Sequence, residues 1–243
     1  MICRAIKLML FASALGLGGL IAWGVFHETV QGSGKAATED RQVGPVTEVS
    51  LAGVGNLILV QGDTPALSVT ADDNILPLLE TETAGNTLNI RTKSGFSVRP
   101  KTPINYTLTV PKLEKVNLSG SGTIKTEKFS GGALALGISG SGKVDLRSVN
   151  CKTLSLTISG SGNATMDGTA DRLTTRVSGS GDIDAAALKT GAAEVNVSGS
   201  GTALVWATDD LKVRVSGSGD VKYKGSPKID QKVSGSGKVR AMN

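Results

Sequence analysis

Residues 193–205 read AEVNVSGSGTALV, and the Ser-Gly-Ser-Gly at their centre decides the fold. The same four residues occur seven times, beginning at Ser119, Ser139, Ser159, Ser178, Ser198, Ser216 and Ser234. Successive motifs begin 20, 20, 19, 20, 18 and 18 residues apart. Self-similarity at a fixed period of about twenty residues is the signature of stacked repeats, so the second half of the chain is predicted to be a solenoid.

Apolar residues alternate on both sides of every motif. A leucine, isoleucine or valine such as Val197 stands directly before each one, and an apolar residue such as Ala203 stands two positions after it. A flexible Ser/Gly linker would not keep this phase, so the alternation predicts short stacked strands with the serines in outward ladders. The glycines then take inward positions. There, either two walls approach too closely for a side chain, or the backbone turns a corner with positive φ.

The predicted fold class is all-β. Helical periodicity is nearly absent from the repeats, which favours a parallel β-solenoid or β-helix of about seven coils, each of 18–20 residues. At about 4.8 Å per layer, these coils would form a rod section about 34 Å long. We assign residues 116–243 to the repeats. Residues 45–115 lack the motif but contain strand-like segments, and we predict that they form a strand-rich N-terminal cap.

The N-terminus differs from the rest of the chain. Arg4 and Lys7 precede an uncharged apolar stretch from Leu8 to Phe26. Residues 1–26 are therefore predicted to be a signal peptide or a membrane anchor, in either case one helix, and its length favours the anchor. The positive charge before it predicts export of the remaining chain across the cytoplasmic membrane, either anchored at the periplasmic or cell surface or secreted after cleavage. The small, polar residues 27–44 are predicted to be a linker.

Three segments of the predicted cap, followed by the repeats, resemble a known bacterial family. They are residues 54–63 (VGNLILVQGD), 71–76 (ADDNIL) and 85–90 (GNTLNI). Over about residues 46–241 the chain is similar to the family described as putative auto-transporter adhesin, head GIN domain, formerly a domain of unknown function. The resemblance implies a right-handed parallel β-helix on the cell envelope. It brings no catalytic residues with it.

Charge restricts the possible partners. The chain carries a formal net charge of +5, and only +3 remains without Arg4 and Lys7, which is too weak to indicate nucleic acid. A local basic cluster near the C-terminus consists of Lys222, Lys224, Lys228, Lys232, Lys238 and Arg240. Charge on the open strand edges of a last coil prevents end-to-end stacking, and we favour this role over binding of an anionic glycan or lipid surface.

Catalytic and metal-binding chemistry has little support in the sequence. The only histidine is His27, which excludes Ser-His-Asp and Cys-His catalysis and histidine-based metal sites in the exported part. The best acidic neighbourhood for cleaving a polysaccharide is Asp182, Asp184, Asp209 and Asp210. With so few clustered carboxylates we expect no enzyme and no cofactor.

The predicted function is a structural or adhesive role at the cell envelope. The alternative is a protein that binds or cleaves an acidic polysaccharide on a β-helix scaffold. The expected partners are the membrane, through the N-terminal segment, and a glycan or an envelope protein. The candidate binding residues are Trp206, Tyr223, Lys222, Lys224, Lys238 and Arg240.

Overall fold

A computed structural model of the chain describes residues 28–242. The predicted anchor or signal helix lies outside these residues. Between residues 28 and 242 no helix is long and apolar enough to cross a membrane. The structure is built almost wholly of strands, with one 3₁₀ turn at Leu76–Leu78. The strands are β1 (Glu28–Gln31), β2 (Ala36–Arg41), β3 (Glu48–Gly53), β4 (Asn56–Gln61), β5 (Ala66–Asp72), β6 (Leu79–Ala84), β7 (Thr87–Thr92), β8 (Phe96–Arg99), β9 (Asn105–Val110), β10 (Lys115–Gly120), β11 (Thr123–Thr126), β12 (Phe129–Gly140), β13 (Lys143–Gly160), β14 (Asn163–Gly179), β15 (Asp182–Gly199), β16 (Thr202–Gly217), β17 (Asp220–Lys224), β18 (Lys228–Gly235) and β19 (Lys238–Ala241).

The repeats form a three-sided coil whose strands run parallel from one turn to the next. In β15, face B is residues 182–185, face C is residues 187–191 and the following face A is residues 192–199. β15 pairs in parallel with β14 on one side and β16 on the other along all three faces. Every second residue points into the coil, and most of these inward residues are apolar. The all-β solenoid is confirmed.

The number of turns is lower than expected. We predicted about seven coils, whereas the solenoid has about six turns. The reason is geometric, because seven motifs mark seven corners and seven corners bound six complete turns between them.

The motif corner combines both alternatives that the sequence left open. The first glycine of every motif has a positive φ, between 115° and 129°, and turns the chain from face A to face B. The second glycine is buried beneath the preceding coil in the first six motifs. A Cβ on Gly181 would lie 2.5 Å from the carbonyl oxygen of Gly162. The corner backbone is satisfied between coils, as where Ser180 N–H donates to the Gly160 carbonyl at 2.9 Å.

The first layers of the solenoid are made by residues that lack the Ser-Gly-Ser-Gly motif. β3 and β4 pair in parallel with β10 and β11, and Gly53 lies in register with Gly120. The next layer outward is β7 and β9, although both follow β3 and β4 in the chain. Beyond them the pairing becomes antiparallel, with β6 on β7, β5 on β9 and β2 on β5.

The segment that we expected to be a linker contributes two strands. β1 pairs with β8 in a small separate sheet, and β2 pairs with β5 at the end of face B. Polar residues at an edge strand give no apolar alternation, which is why composition alone suggested a linker.

Asp72 ties this end of the molecule together. Its fully buried carboxylate accepts hydrogen bonds from the backbone N–H groups of Gly34, Lys101 and Thr102 and from the Thr102 hydroxyl. Burial by itself would raise the pKa of Asp72, but these donors stabilise the carboxylate and bring its pKa below the ordinary value.

Candidate binding surface

Trp206 lies where β16 is three residues shorter than the β15 segment that pairs with it. Ala185 pairs with Val205, but Lys189 already pairs with Trp206, so three residues of β15 have no counterpart in β16. In β15 these three residues, 186–188, lead from face B into face C. In β16 the chain turns from face B to face C directly at Trp206. The Thr190 hydroxyl donates to the Trp206 carbonyl at 2.7 Å and fixes the two coils at this point.

Two lysines flank the indole ring of Trp206. Lys224 Nζ lies 4.0 Å from the ring centroid and Lys189 Nζ lies 6.0 Å from it, one coil away on either side. Both distances are within the range of cation–π attraction, so the ring is held between two exposed ammonium groups. The sequence identified Trp206 and Lys224. It missed Lys189, because the shift of three residues that brings it beside Trp206 leaves no local signal.

The other predicted contact residues are divided among different surfaces. Lys222 and Arg240 are adjacent in register on the outer side of face B and are exposed. Lys238 is exposed, and its backbone N–H donates to Asp220 Oδ1 at 2.9 Å. Tyr223 is partly buried and packs against the core, so its ring is not a free platform. The structure thus joins Trp206 with Lys224, places Lys222 nearby on the adjoining face, and turns Tyr223 inward.

The acidic residues do not form one cluster. Asp182 and Asp184 are exposed on face B and accept backbone N–H bonds from Thr202 and Ala186. Asp209 and Asp210 instead line a cleft of about 460 Å³ on the side of face C, together with Asp171 and Lys189. Within residues 28–242 no three acidic, histidine or cysteine groups are arranged to hold a metal ion.

Cys151 is an internal packing residue. It is buried under face C, and burial, with a smaller contribution from Asp171, raises the pKa of its thiol to about 11. Since the thiolate is the nucleophilic form, the thiol is held in its unreactive state at neutral pH.

Both serine columns of the motif are exposed on the corner between faces A and B. In β15, for example, Ser198 lies outside while its neighbour Val197 is buried. The column continues coil after coil, since Ser178, Ser198 and Ser216 are in register. The result is a straight double row of hydroxyl groups along the rod, spaced by the distance between strands, about 4.8 Å.

The solenoid resembles several solved structures along nearly its whole length. A structure of a putative adhesin from Bacteroides fragilis NCTC 9343 is 29% identical, with a TM-score of 0.81 over 88% of this chain and 100% of its own. A structure of a putative lipid binding protein from Parabacteroides distasonis ATCC 8503 is 28% identical, with a TM-score of 0.76 over 89% and 100%. A putative adhesin from the same strain is 26% identical, with a TM-score of 0.72 over 88% and 100%.

No curated protein matches the chain. A family model, described as putative auto-transporter adhesin, head GIN domain, matches residues 45–227. This range begins just before β3 and includes five complete turns of the repeat and the column of Lys189, Trp206 and Lys224. The chain therefore belongs to the family of putative auto-transporter adhesins with a head GIN domain.

Proposed function

We propose that the chain is a non-catalytic adhesive protein of the cell envelope that binds an anionic glycan beside Trp206. The observation that carries this proposal is the Trp206 ring between the ammonium groups of Lys189 and Lys224. The two ammonium groups attract the carboxylate or sulfate groups of a sugar, and the exposed part of the half-buried Trp206 ring adds apolar contact area. Lys222 on the adjoining face adds a further positive charge to the same end of the rod.

We also propose that the protein lies at the cell surface or envelope and that its solenoid is right-handed. The adhesin descriptions of the family and of two of these solved structures support a place at the cell surface or envelope. The apolar segment Leu8–Phe26 would serve as the anchor or export signal. The right-handed winding implied by the family agrees with the usual handedness of crossovers between parallel strands.

Binding to polysaccharides of different charge tests the proposal. The purified chain is titrated with polygalacturonate, which is anionic, and with dextran, which is neutral. We expect saturable binding to the first alone, reduced about fivefold by Trp206→Ala, which removes the aromatic contact with the sugar, or by Lys224→Gln, which removes a charge that pairs with the anion. Lys125→Gln, an exposed lysine on a distant coil, is the matched control.

The same titration decides between binding and cleavage. Each mixture is followed for new reducing ends and unsaturated products. Product release would replace the adhesive proposal with the alternative of a polysaccharide-cleaving protein and would direct attention to Asp182, Asp184, Asp209 and Asp210. Equal binding by the Trp206→Ala variant and the parent chain would remove Trp206 from the site.

A further inference from the structure

The two ends of the rod expose strand edges of the same two faces. β18 and β6 are the outermost strands of face A, and β19 and β2 are the outermost strands of face B. Within residues 28–242 each of these four strands has a partner on one side only. An unpaired edge leaves a row of N–H and C=O groups that pair with another strand when one is presented in register.

The C-terminal end, residues 221–242, is uncovered and basic. β18 is exposed along its whole length, and its inward-facing Ile229 and Val233 keep 39% and 40% of their surface exposed, because no other coil among residues 28–242 lies over them. Six basic residues stand in this range against one acidic residue, Asp230. We call this surface the tail.

The N-terminal end is formed by β2 and β6. It is acidic, and its apolar core residues are shielded from solvent. Its acidic residues are Glu39, Asp40, Glu80 and Glu82, and they line an open cleft of about 620 Å³ together with Arg41 and Arg91, which leaves two more acidic than basic groups. Arg41 pairs with Glu39 at 3.1 Å, and Arg91 pairs with Glu80 at 3.0 Å and with Glu82 at 3.7 Å. Leu79, the apolar residue of β6, is only 3% exposed. We call this surface the head.

Charge therefore distinguishes the possible end-to-end contacts. Two tails would place basic residues against basic residues, and two heads would place acidic residues against acidic residues, so both contacts are repulsive. A tail against a head brings opposite charges together. The lysines that we expected to prevent stacking oppose only the contact between like ends.

Strand direction and chain path permit the contact between tail and head. β2 is antiparallel to β5, which is antiparallel to β9, so β2 runs in the direction of β19 and could extend face B in parallel. β6 does not reach β18 in this contact, because face B has three strands beyond β4 (β9, β5 and β2) whereas face A has two beyond β3 (β7 and β6). β1 pairs with β8, which lies beside Gly53 on the flank of the rod, so it does not cover the edges of β2 and β6.

We propose that copies of this chain associate head to tail, with the β19 edge of one copy against the β2 edge of the next. The contact is heterologous, so it continues as an open filament instead of closing into a dimer. The charged groups are solvent-exposed and individually weak, so the association depends on concentration and is screened by salt.

Sedimentation velocity of the full-length chain in a neutral detergent tests this proposal. In about 0.05 M salt we expect the weight-average sedimentation coefficient to rise with concentration beyond that of a dimer, and in about 0.5 M salt to fall to that of the single copy. A tail variant (Lys228→Glu with Lys232→Glu) and a head variant (Asp40→Lys with Glu82→Lys) should each remain single. A mixture of the two should form pairs, because the unchanged tail of the head variant is complementary to the unchanged head of the tail variant.

Lys125→Glu with Lys143→Glu makes the same charge change in the middle of the rod and should leave association intact. A single copy at every concentration, a size that stops at a dimer, or equal loss in this control would each overturn the proposal. So would salt-sensitive binding of single copies to anionic phospholipid vesicles, which would assign the tail to a lipid surface. The glycan site at Trp206 is unchanged in all these variants.

Discussion

Single residues show where the core of this solenoid departs from ideal packing. Thr175 is fully buried in the inward column of face A, between Leu156 and Val195 of the adjacent coils. Its hydroxyl is the one buried side-chain polar atom without a hydrogen-bond partner among residues 28–242. An unsatisfied buried hydroxyl costs about 1–3 kcal/mol, whereas valine has nearly the same shape and no polar atom.

We therefore expect Thr175→Val to stabilise the protein by about 1 kcal/mol, measured as a higher midpoint of urea unfolding. Thr190→Val is the matched control, since Thr190 is equally buried but its hydroxyl donates to the Trp206 carbonyl. That variant should lose about 1 kcal/mol. Destabilisation by both substitutions would contradict the prediction, because it would indicate that the Thr175 hydroxyl makes a hydrogen bond in solution.

At the scale of elements, the corner and the cap determine how strands join. Gly181→Ala would place a methyl group 2.5 Å from the Gly162 carbonyl, so the two coils must separate at that corner. We expect a loss of about 1–3 kcal/mol in the free energy of unfolding, the usual cost of overpacking. Gly132→Ala is the control, because nothing lies within 4 Å of a Cβ there. Equal effects of both substitutions would refute a role for close approach at the corner.

The cap responds to acid through Asp72. Its pKa is lowered in the folded protein, so the stability it contributes is present above its unfolded value of 3.8 and is lost as pH falls through the folded pKa. Asp72→Asn should be less stable than the parent at neutral pH, because an amide offers fewer acceptor sites to the four donors. The difference should shrink as the pH falls through the lowered folded pKa of Asp72, because the parent carboxylate then becomes protonated as well. Urea unfolding of both proteins across pH measures this, and a gap that stays constant would contradict it.

The sequence predicted those elements in which local pattern and long-range pairing agree. Period and alternation identified the coils and their inward residues, because each coil repeats the pairing of its neighbour. Two features had no such signal. β2 is a polar edge strand, and the layer of β3 and β4 lies between β7/β9 and β10/β11, an order that only tertiary pairing reveals.

The candidate site was predicted in part for the same reason. Trp206 and Lys224 were noticed as a rare aromatic residue and a member of a basic cluster. Lys189 joins them only because a three-residue shift occurs between Ala185 and Lys189. Tyr223 was chosen as an aromatic, although the same alternation that defines the coils already placed it on the inward side.

For the whole molecule, stability should fall from the middle of the rod toward the tail. Each coil buries its apolar residues against its neighbours, so the coils of β13, β14 and β15 are covered on both sides, while β18 is covered on one. Local opening requires least free energy where few contacts are broken. Hydrogen exchange followed by mass spectrometry should therefore show fast exchange in β18 and β19, slow exchange in β14, and intermediate protection in the capped head.

The same measurement connects stability to assembly. If tails dock on heads, raising the concentration in low salt should slow exchange in β19, since its free edge then gains hydrogen-bond partners. Exchange in β14 should not change, because its edges are already paired in a single copy. The tail variant Lys228→Glu with Lys232→Glu should show no such dependence on concentration. Protection that rises equally along the rod would point to lateral contacts between rods and away from contacts at the ends.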